Sequence, residues 1–377
     1  MDLPVATQPE FAEIAHSGGK ITLSVRTIDG RRGYQVKYSG MSCNKIVLLE
    51  LRVSISGDQV GELEYNTAPP PGWAPVHLAS DNEGRFGHEC PICKKYWRSD
   101  AWPTTCPYCG LRADGLAFLS NAQKIYFQQY SKKLREALDA KEDGDHVIDM
   151  DAVADAAGKI TPKPPFYYAE ESQQNKFICN SCGAFNDILG KFGYCSSCAT
   201  RNDLKELETK TISGIRDRIN TGGAYESSVK DAVAAFDIYT GQYVAQLVQL
   251  IPMTPRRKSH FEKTRFHNLK RVAEDLKSAF DIELCDGLKE EDVKFATLLF
   301  HRRHVYEHLG GEADQKYIDE SGDAVRPKQA LHETQESAHR IAGLVMKMAV
   351  NLHKGFHEIF PPLKERTDAY VKRQRNG

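Results

Sequence analysis

The chain has 377 residues, 41% of them hydrophobic and 27% charged, and a formal net charge of -1. That length accommodates two or three domains, each with a core of its own, and the composition excludes fibrous and wholly disordered classes. No apolar run approaches the roughly eighteen residues that a membrane span needs. The opening MDLPVATQPEFAEIAHSGG lacks a basic segment followed by an apolar core, so a cytoplasmic protein with no membrane partner is expected.

From about residue 19 to 66, short β-branched runs (ITLSV, YQVKY, KIVLLELRVSISG) alternate with glycine-bearing turns such as IDGRRG, a pattern that predicts a small antiparallel β module over 1–80. Proline-rich TAPPPGWAP (67–75) fits neither a sheet interior nor a helix and marks a boundary. Eight of the ten cysteines then fall into four Cys-x-x-Cys pairs, and Cys43 and Cys285 are left as free buried thiols. Cys90 and Cys93 are followed by twelve residues and then Cys106 and Cys109. The spacing repeats without change at Cys179, Cys182, Cys195 and Cys198.

A two-residue gap lets both thiolates of a knuckle meet one ion, and two knuckles complete the tetrahedral sulfur shell that zinc favours. Two zinc ribbons are therefore expected, at 84–115 and 175–202, each holding one structural Zn2+ with no open coordination position; iron-sulfur or redox centres are the rival reading. The loop of the first ribbon mixes Lys94, Lys95, Tyr96, Trp97, Arg98 and Trp102, which could grip unpaired nucleotides by charge and stacking or could pack the ribbon's small core. In the second, Phe185, Phe192 and Tyr194 accompany only Lys191, and a scaffold role is expected. Helical periodicity after the first ribbon predicts a connecting helix over 116–142, then a loose linker over 143–174.

Beyond residue 203 strand signals vanish. Amphipathic helices are predicted at 203–219, 225–251, 264–280, 289–309 and 329–359, with Pro252 and Pro255 breaking the second from the third and Gly310, Gly311 and Gly322 ending the fourth. This gives an all-helical bundle over 203–360 and a mobile basic tail, 361–377. The fold class is thus α+β and multidomain: a small N-terminal β module, two four-cysteine ribbons joined by a long helix, and a C-terminal all-α bundle. A basic stripe, Arg256, Arg257, Lys258, Lys263, Arg265, Lys270 and Arg271 against the single acid Glu262, could guide a nucleic-acid backbone or simply be a solvated face.

In FATLLFHRRHVYEHLGG (295–311), successive residues 100° apart put Leu298, Leu299, Val305, Tyr306 and Leu309 on one side of a helix. Thr297, His301, Arg303, His304, Glu307 and His308 fall on the other. Such a face can be merely solvated. It can also gather His301, His304 and His308 around a divalent ion, or do acid-base chemistry.

Here the chain resembles the HEPN superfamily, helical bundles marked by an arginine, four to six residues and a histidine: Arg303, HVYE, His308. The following GGEADQKYIDESGD is similar to the glycine, tyrosine and Gly-Asp turn of some members. The resemblance covers the bundle alone. It implies a homodimer formed through the bundle, in which two such helices build a site that cuts RNA without metal, and membership also extends to non-catalytic domains. In that chemistry the ribose 2′-hydroxyl attacks phosphorus. His308 would move protons, Arg303 would hold the developing charge, His304 would position either group, and Glu307 would orient a histidine or pair with Arg303. Arg303 and His308 stand about 140° apart on a helix, so a second copy would have to complete the site. The expectation is a metal-independent endoribonuclease with RNA as partner, and with room for a protein partner or regulator, of the kind found in toxin or antiviral-defence systems. The competing expectation is a non-catalytic adaptor that binds RNA or protein through its ribbons.

Overall fold

The computed structural model describes residues 20–39, 45–52, 73–79, 85–100, 102–139, 142–149, 152–153, 156, 174–264, 266 and 268–376. Cys43 and Arg265, singled out above, lie outside them. The chain divides into two compact units: one holds 1–190, 195–198 and 366–377, and the other holds 191–194 and 199–365.

In the first unit β1 (Lys20–Ile28) and β2 (Arg31–Ser39) form a hairpin in register from Lys20↔Ser39 to Ile28↔Arg31. Its two-residue turn is Asp29-Gly30, both at positive φ (51° and 72°), the mirror-image turn whose twist matches that of the strands. Ile21, Leu23 and Val25 alternate into the interior. β3 (Lys45–Arg52) pairs antiparallel with β4 (Trp73–Ala79) as a second, two-stranded sheet. Trp73, Ala74 and Pro75 thus open a strand instead of ending the module; in a two-stranded sheet each strand has a free edge on which proline is tolerated.

The segment expected to be a loose linker contributes β7 (Gly144–Asp149), which pairs antiparallel with β1, so the β module is completed from beyond the first ribbon. Only Ile148 of its apolar residues is buried, and Val147 is exposed, which is why no clear strand pattern shows in the sequence. The ribbons too are less separate than their spacing suggests. β5 (Phe86–Glu89) and β6 (Tyr96–Ser99) belong to the first, β8 (Gln174–Ile178) and β9 (Phe185–Leu189) to the second, and β6 pairs with β9 to give one four-stranded sheet, β5-β6-β9-β8. The connecting helix α1 (Asn121–Asp139) starts at a reciprocal cap. Ser120 Oγ accepts from Gln123 N, Gln123 Oε1 accepts from Ser120 N, and Gln123 Nε2 reaches back to the carbonyl of Gly87 in β5.

The second unit is helical. α2 runs through Asp203–Glu206, a π-helical Leu207–Ile212 and Ser213–Thr221. It is followed by α3 (Tyr225–Leu250), α4 (Pro255–Lys263), α5 (Leu269–Phe280), α6 (Glu290–His308), α7 (Gln315–Ser321) and α8 (Gln335–Ile359). Five predicted helices become seven. The proline break holds a short helix, α4, capped by Thr254 with Pro255 at its first position, and α7 fills the glycine-rich stretch. α8 starts six residues later than expected, at a capping box of Thr334 and Ser337. The expected mobile tail is instead a helix, α9 (Lys364–Asn376). Among the described residues, no helix is long and apolar enough to cross a membrane.

α3 is the central helix: Val229, Val233, Phe236, Tyr239, Tyr243 and Leu247 are all buried, with Phe236 edge-on to Phe300 of α6 at 5.3 Å. Against α8 the contact includes polar groups. The Tyr239 hydroxyl donates to the carbonyl of Ala349 (2.9 Å), and Tyr243 shares a 2.7 Å hydrogen bond with His353 Nδ1. A buried ion pair, Arg201 with Asp203 at 2.7 Å, lies beneath the rings of Tyr194 and Tyr243. Cys285 is half-buried rather than deep in the core.

Burial, helped by His357 and Arg201, pushes His353 down to about 3 from 6.5. Below pH 6.5 protons therefore bind the unfolded chain in preference. The contribution of neutral His353 is complete above about pH 6.5 and is lost as pH falls towards 3. Urea unfolding followed between pH 6 and 4 should show stability falling more steeply in the wild type than in His353→Gln. The difference should approach one proton, about 1.4 kcal/mol per pH unit.

Candidate functional site

Both four-cysteine sets assemble. Cys90, Cys93, Cys106 and Cys109, and again Cys179, Cys182, Cys195 and Cys198, bring their sulfurs within 4.8 Å of one another; among the described residues, only these two clusters could hold a metal ion. Sγ separations are 3.6 Å (Cys90 to Cys109), 3.7 Å (Cys93 to Cys106), 3.7 Å (Cys179 to Cys198) and 3.5 Å (Cys182 to Cys195). A disulfide would need about 2.05 Å. A tetrahedron with metal-sulfur bonds of about 2.3 Å has edges of about 3.8 Å, so the donor set fits a four-coordinate ion.

The thiols within each cluster act strongly on one another. Burial pushes the Cys93 thiol up to about 11, and hydrogen bonds from Cys179 and its neighbours raise Cys195 well above its ordinary value. In the same clusters, hydrogen bonds from Cys106 lower Cys109 to about 5 and hydrogen bonds from Cys179 lower Cys182, so the crowded sulfurs share charge unevenly. Each knuckle is shaped by backbone N–H groups: Gly110 N reaches Cys106 O at 3.1 Å and Gly183 N reaches Cys179 O at 2.7 Å.

The aromatic residues of the first ribbon are core, not a stacking platform. Trp97 is 1% exposed and packs edge-on against Phe118 (5.3 Å) and Tyr108 (6.5 Å), with Ile188 of β9 in the same cluster. Tyr96 is buried, and Arg98 is turned inward to Asp187 at 3.6 Å. Trp102 is half-buried beside His88, leaving Lys94 and Lys95 exposed on the loop. In the second ribbon Tyr194 is buried and Phe185 and Phe192 are partly so, consistent with a scaffold. The hydroxyl of Tyr108 ties the two ribbons, donating to Tyr96 O (2.7 Å) and accepting from Leu189 N (3.0 Å).

On α6 the side facing the bundle is Ala296, Leu299, Phe300 and Val305, all buried; Leu298, Tyr306 and Leu309 are partly covered. On the other side His304, Glu307 and His308 are exposed. The rings of His304 and His308 lie 4.8 Å apart, and Arg303 Nη2 pairs with Glu307 at 2.8 Å. Arg303 keeps only 16% of its side chain exposed, and its Nε is buried without a hydrogen-bond partner. His301 is half-buried, and the three histidines do not converge as metal ligands. The divalent-ion reading of that face is therefore set aside.

Sequence reasoning missed Arg302. Its Nε and Nη2 both donate to Asp323 Oδ2 (3.1 and 2.8 Å) and its Nη1 to Glu333 Oε1 (3.0 Å). The Tyr306 hydroxyl donates to the same Glu333 oxygen at 2.6 Å, the Tyr317 hydroxyl to Asp323 Oδ2 at 2.5 Å, and Ser337 Oγ to Glu333 Oε2 at 2.7 Å. The aspartate of the Gly-Asp pair after α6 is thus a direct partner of Arg302, one position from the arginine named by the motif, and the tyrosine binds that same aspartate. The only sequence signal was the adjacent Arg-Arg pair, which a helix necessarily splits by 100°.

The basic stripe lies on α4 and the start of α5, its cations exposed and partly engaged. Lys258 faces Glu262 (3.9 Å), Arg271 faces Asp275 (3.7 Å), and Arg257 donates to the Ser278 carbonyl (3.3 Å). Arg256, Lys263 and Lys270 are exposed.

Two outcomes follow from the geometry. Native mass measurement of the whole chain should find two metal ions, and Cys106→Ser or Cys195→Ser should each lower the count by one, because three remaining sulfurs no longer close the shell. In urea unfolding Arg302→Ala should cost about 3 kcal/mol, because Glu333, 1% exposed at its side chain, is left buried with its cation removed. Arg303→Ala should cost about 1 kcal/mol or less, the range of an ion pair with one exposed partner.

No family model, no curated protein and no solved structure matches the chain.

Proposed function

We propose that the chain is a metal-independent endoribonuclease of HEPN type, whose site is the outer face at the C-terminal end of α6. The observation that carries this reading is the segregation of function around that helix. Arg302 and Tyr306 are engaged through Glu333 in holding the helix, whereas His304, Glu307 and His308 are exposed on the outer face with two imidazoles side by side, and the largely buried Arg303 reaches that face through its pair with Glu307. A face needed only for solubility is ordinarily built from Lys and Glu, not from paired histidines.

In the proposed reaction one imidazole takes the proton of the ribose 2′-hydroxyl as its oxygen bonds to phosphorus. A second imidazole protonates the departing 5′-oxygen, leaving a 2′,3′-cyclic phosphate and a free 5′-hydroxyl. Arg303 balances the charge on the phosphoryl oxygens, and Glu307 holds that guanidinium until a phosphate replaces it. A homodimer through the bundle brings a second copy of the same face to the scissile bond. Arg256, Arg257, Lys258, Lys263, Arg265, Lys270 and Arg271 guide the RNA backbone. The cations in the first turn of α4 oppose the helix macrodipole, so helix stability does not account for them.

The ribbons hold zinc as a structural ion, the usual occupant of a closed all-cysteine shell, and a chain with eight thiolate ligands suits the reducing cytoplasm. A toxin or antiviral-defence effector restrained by a protein regulator is the biological setting that fits a nuclease of this kind.

The test is incubation of the whole chain with single-stranded and structured RNA in buffer free of divalent ions. Cleavage should yield cyclic-phosphate ends and fall about 10²-fold or more in His308→Ala and Arg303→Ala, with circular dichroism unchanged. Full cleavage by His308→Ala removes the proposal. RNA retention without cleavage, weakened by raising salt, leaves the adaptor reading.

A further inference from the structure

The C-terminal helix α9 is placed in a way that the nuclease reading does not use. From Arg366 onward its residues group with the ribbons, and Tyr370 packs into the cluster formed by Cys179, Cys182, Ala184, Cys195 and Cys198. The approach is close. Gly183, the residue after the second cysteine of the knuckle, has φ +75°, and a Cβ there would lie 2.5 Å from Cε2 of Tyr370.

The positive φ alone does not demand glycine. The matching residue of the first ribbon, after Cys93, is Lys94 at φ 59°, so the knuckle accepts a side chain in this conformation. What distinguishes the second ribbon is the ring resting on it. Arg366, Tyr370 and Arg373 are spaced four and three residues apart, the spacing of one helix face, and the Arg373 guanidinium carbon lies 6.0 Å from the Tyr370 ring centroid. Four thiolates around a divalent ion carry a net charge of about -2, so cations on that face are attracted to the occupied site and lose that attraction when the ion leaves.

We propose that α9 is a metal-dependent clasp on the second four-cysteine site. An occupied site holds the knuckle in the shape that receives Tyr370, and the docked helix slows the loss of the ion; coupling of this kind is reciprocal by thermodynamic necessity. Loss of the ion, by chelation or thiol oxidation by a peroxide, frees a basic helix. The inference rests on the ribbons binding metal and is independent of the nuclease chemistry.

The test uses the full chain loaded with Zn2+ and a chromogenic chelator that reports each ion as it leaves. In Tyr370→Ala one of the two ions should be released about tenfold faster and the other at the wild-type rate, and Tyr370→Phe should behave as the wild type. Gly183→Ala should repeat the Tyr370→Ala result. In parallel, hydrogen exchange of residues 366–376 should lose its protection when zinc is withdrawn. Two ions released from Tyr370→Ala at unchanged rates, or exchange of α9 that ignores zinc, overturns the clasp alone. A chain that binds no zinc overturns the ribbon reading and the clasp with it.

Discussion

The N-terminal unit depends on charge balance at eight clustered sulfurs, seven of them buried. Each ribbon contributes only two short strands and a handful of apolar side chains, and the largest of these, Trp97, is shared between Phe118 and Ile188 rather than seated in a deep core. Segments so small bury too little surface to hold themselves, and at sites positioned to hold an ion the free energy of binding it would become the free energy of folding. Everything attached to the sulfurs inherits that dependence. The β6 to β9 pairing makes one sheet of two ribbons, Asn186 bridges Ala184 O and Ser196 N within the second, and Thr104 of the first donates to Ser197 O of the second at 2.8 Å. A disturbance at one sulfur cluster is therefore felt along the whole sheet.

In the helical unit the equivalent constraint is the placement of polar groups inside an apolar bundle. α3 and α8 are held by Tyr239 and Tyr243 as well as by packing, and Arg201 and Asp203 are buried together. Such pairs add little net stability compared with apolar side chains of the same size, but they penalise any packing that parts them. The same device recurs at the end of α6, where Arg302 bonds two carboxylates from the segment between α7 and α8 and so fixes both the rotation of the helix and the path of the chain after it. The outer residues of the last two turns are positioned as a consequence, since a helix fixed on one side is fixed on the other.

Much of this was legible from the residues. The repeated cysteine spacing pointed to both four-cysteine clusters, because a knuckle leaves almost no freedom in how two thiols two residues apart can meet an ion. Leu299, Val305, His304, Glu307 and His308 lie on the faces that helical periodicity assigned them. What could not be read was pairing between distant segments. β7 lies among acidic residues and buries little, and the partners of Arg302 are 21 and 31 residues away in a loop without periodicity. The aromatic cluster of the first ribbon gave equal support to a core and to a binding surface, and only the packing of Trp97 chose between them.

The sequence alone determined which atoms could bind metal, where the long helices would run and which of them carried an excess of imidazoles, because these follow from local spacing and local propensity. Tertiary structure decided that the ribbons form one sheet, that Arg302 is bound to Asp323 and Glu333 while Arg303, equally buried, pairs with Glu307, and that the basic tail is a helix lying on a cysteine knuckle. Each of those depends on contacts between residues far apart in the chain, whose partners are selected by the shape of the whole unit and leave no periodic trace in the order of the amino acids.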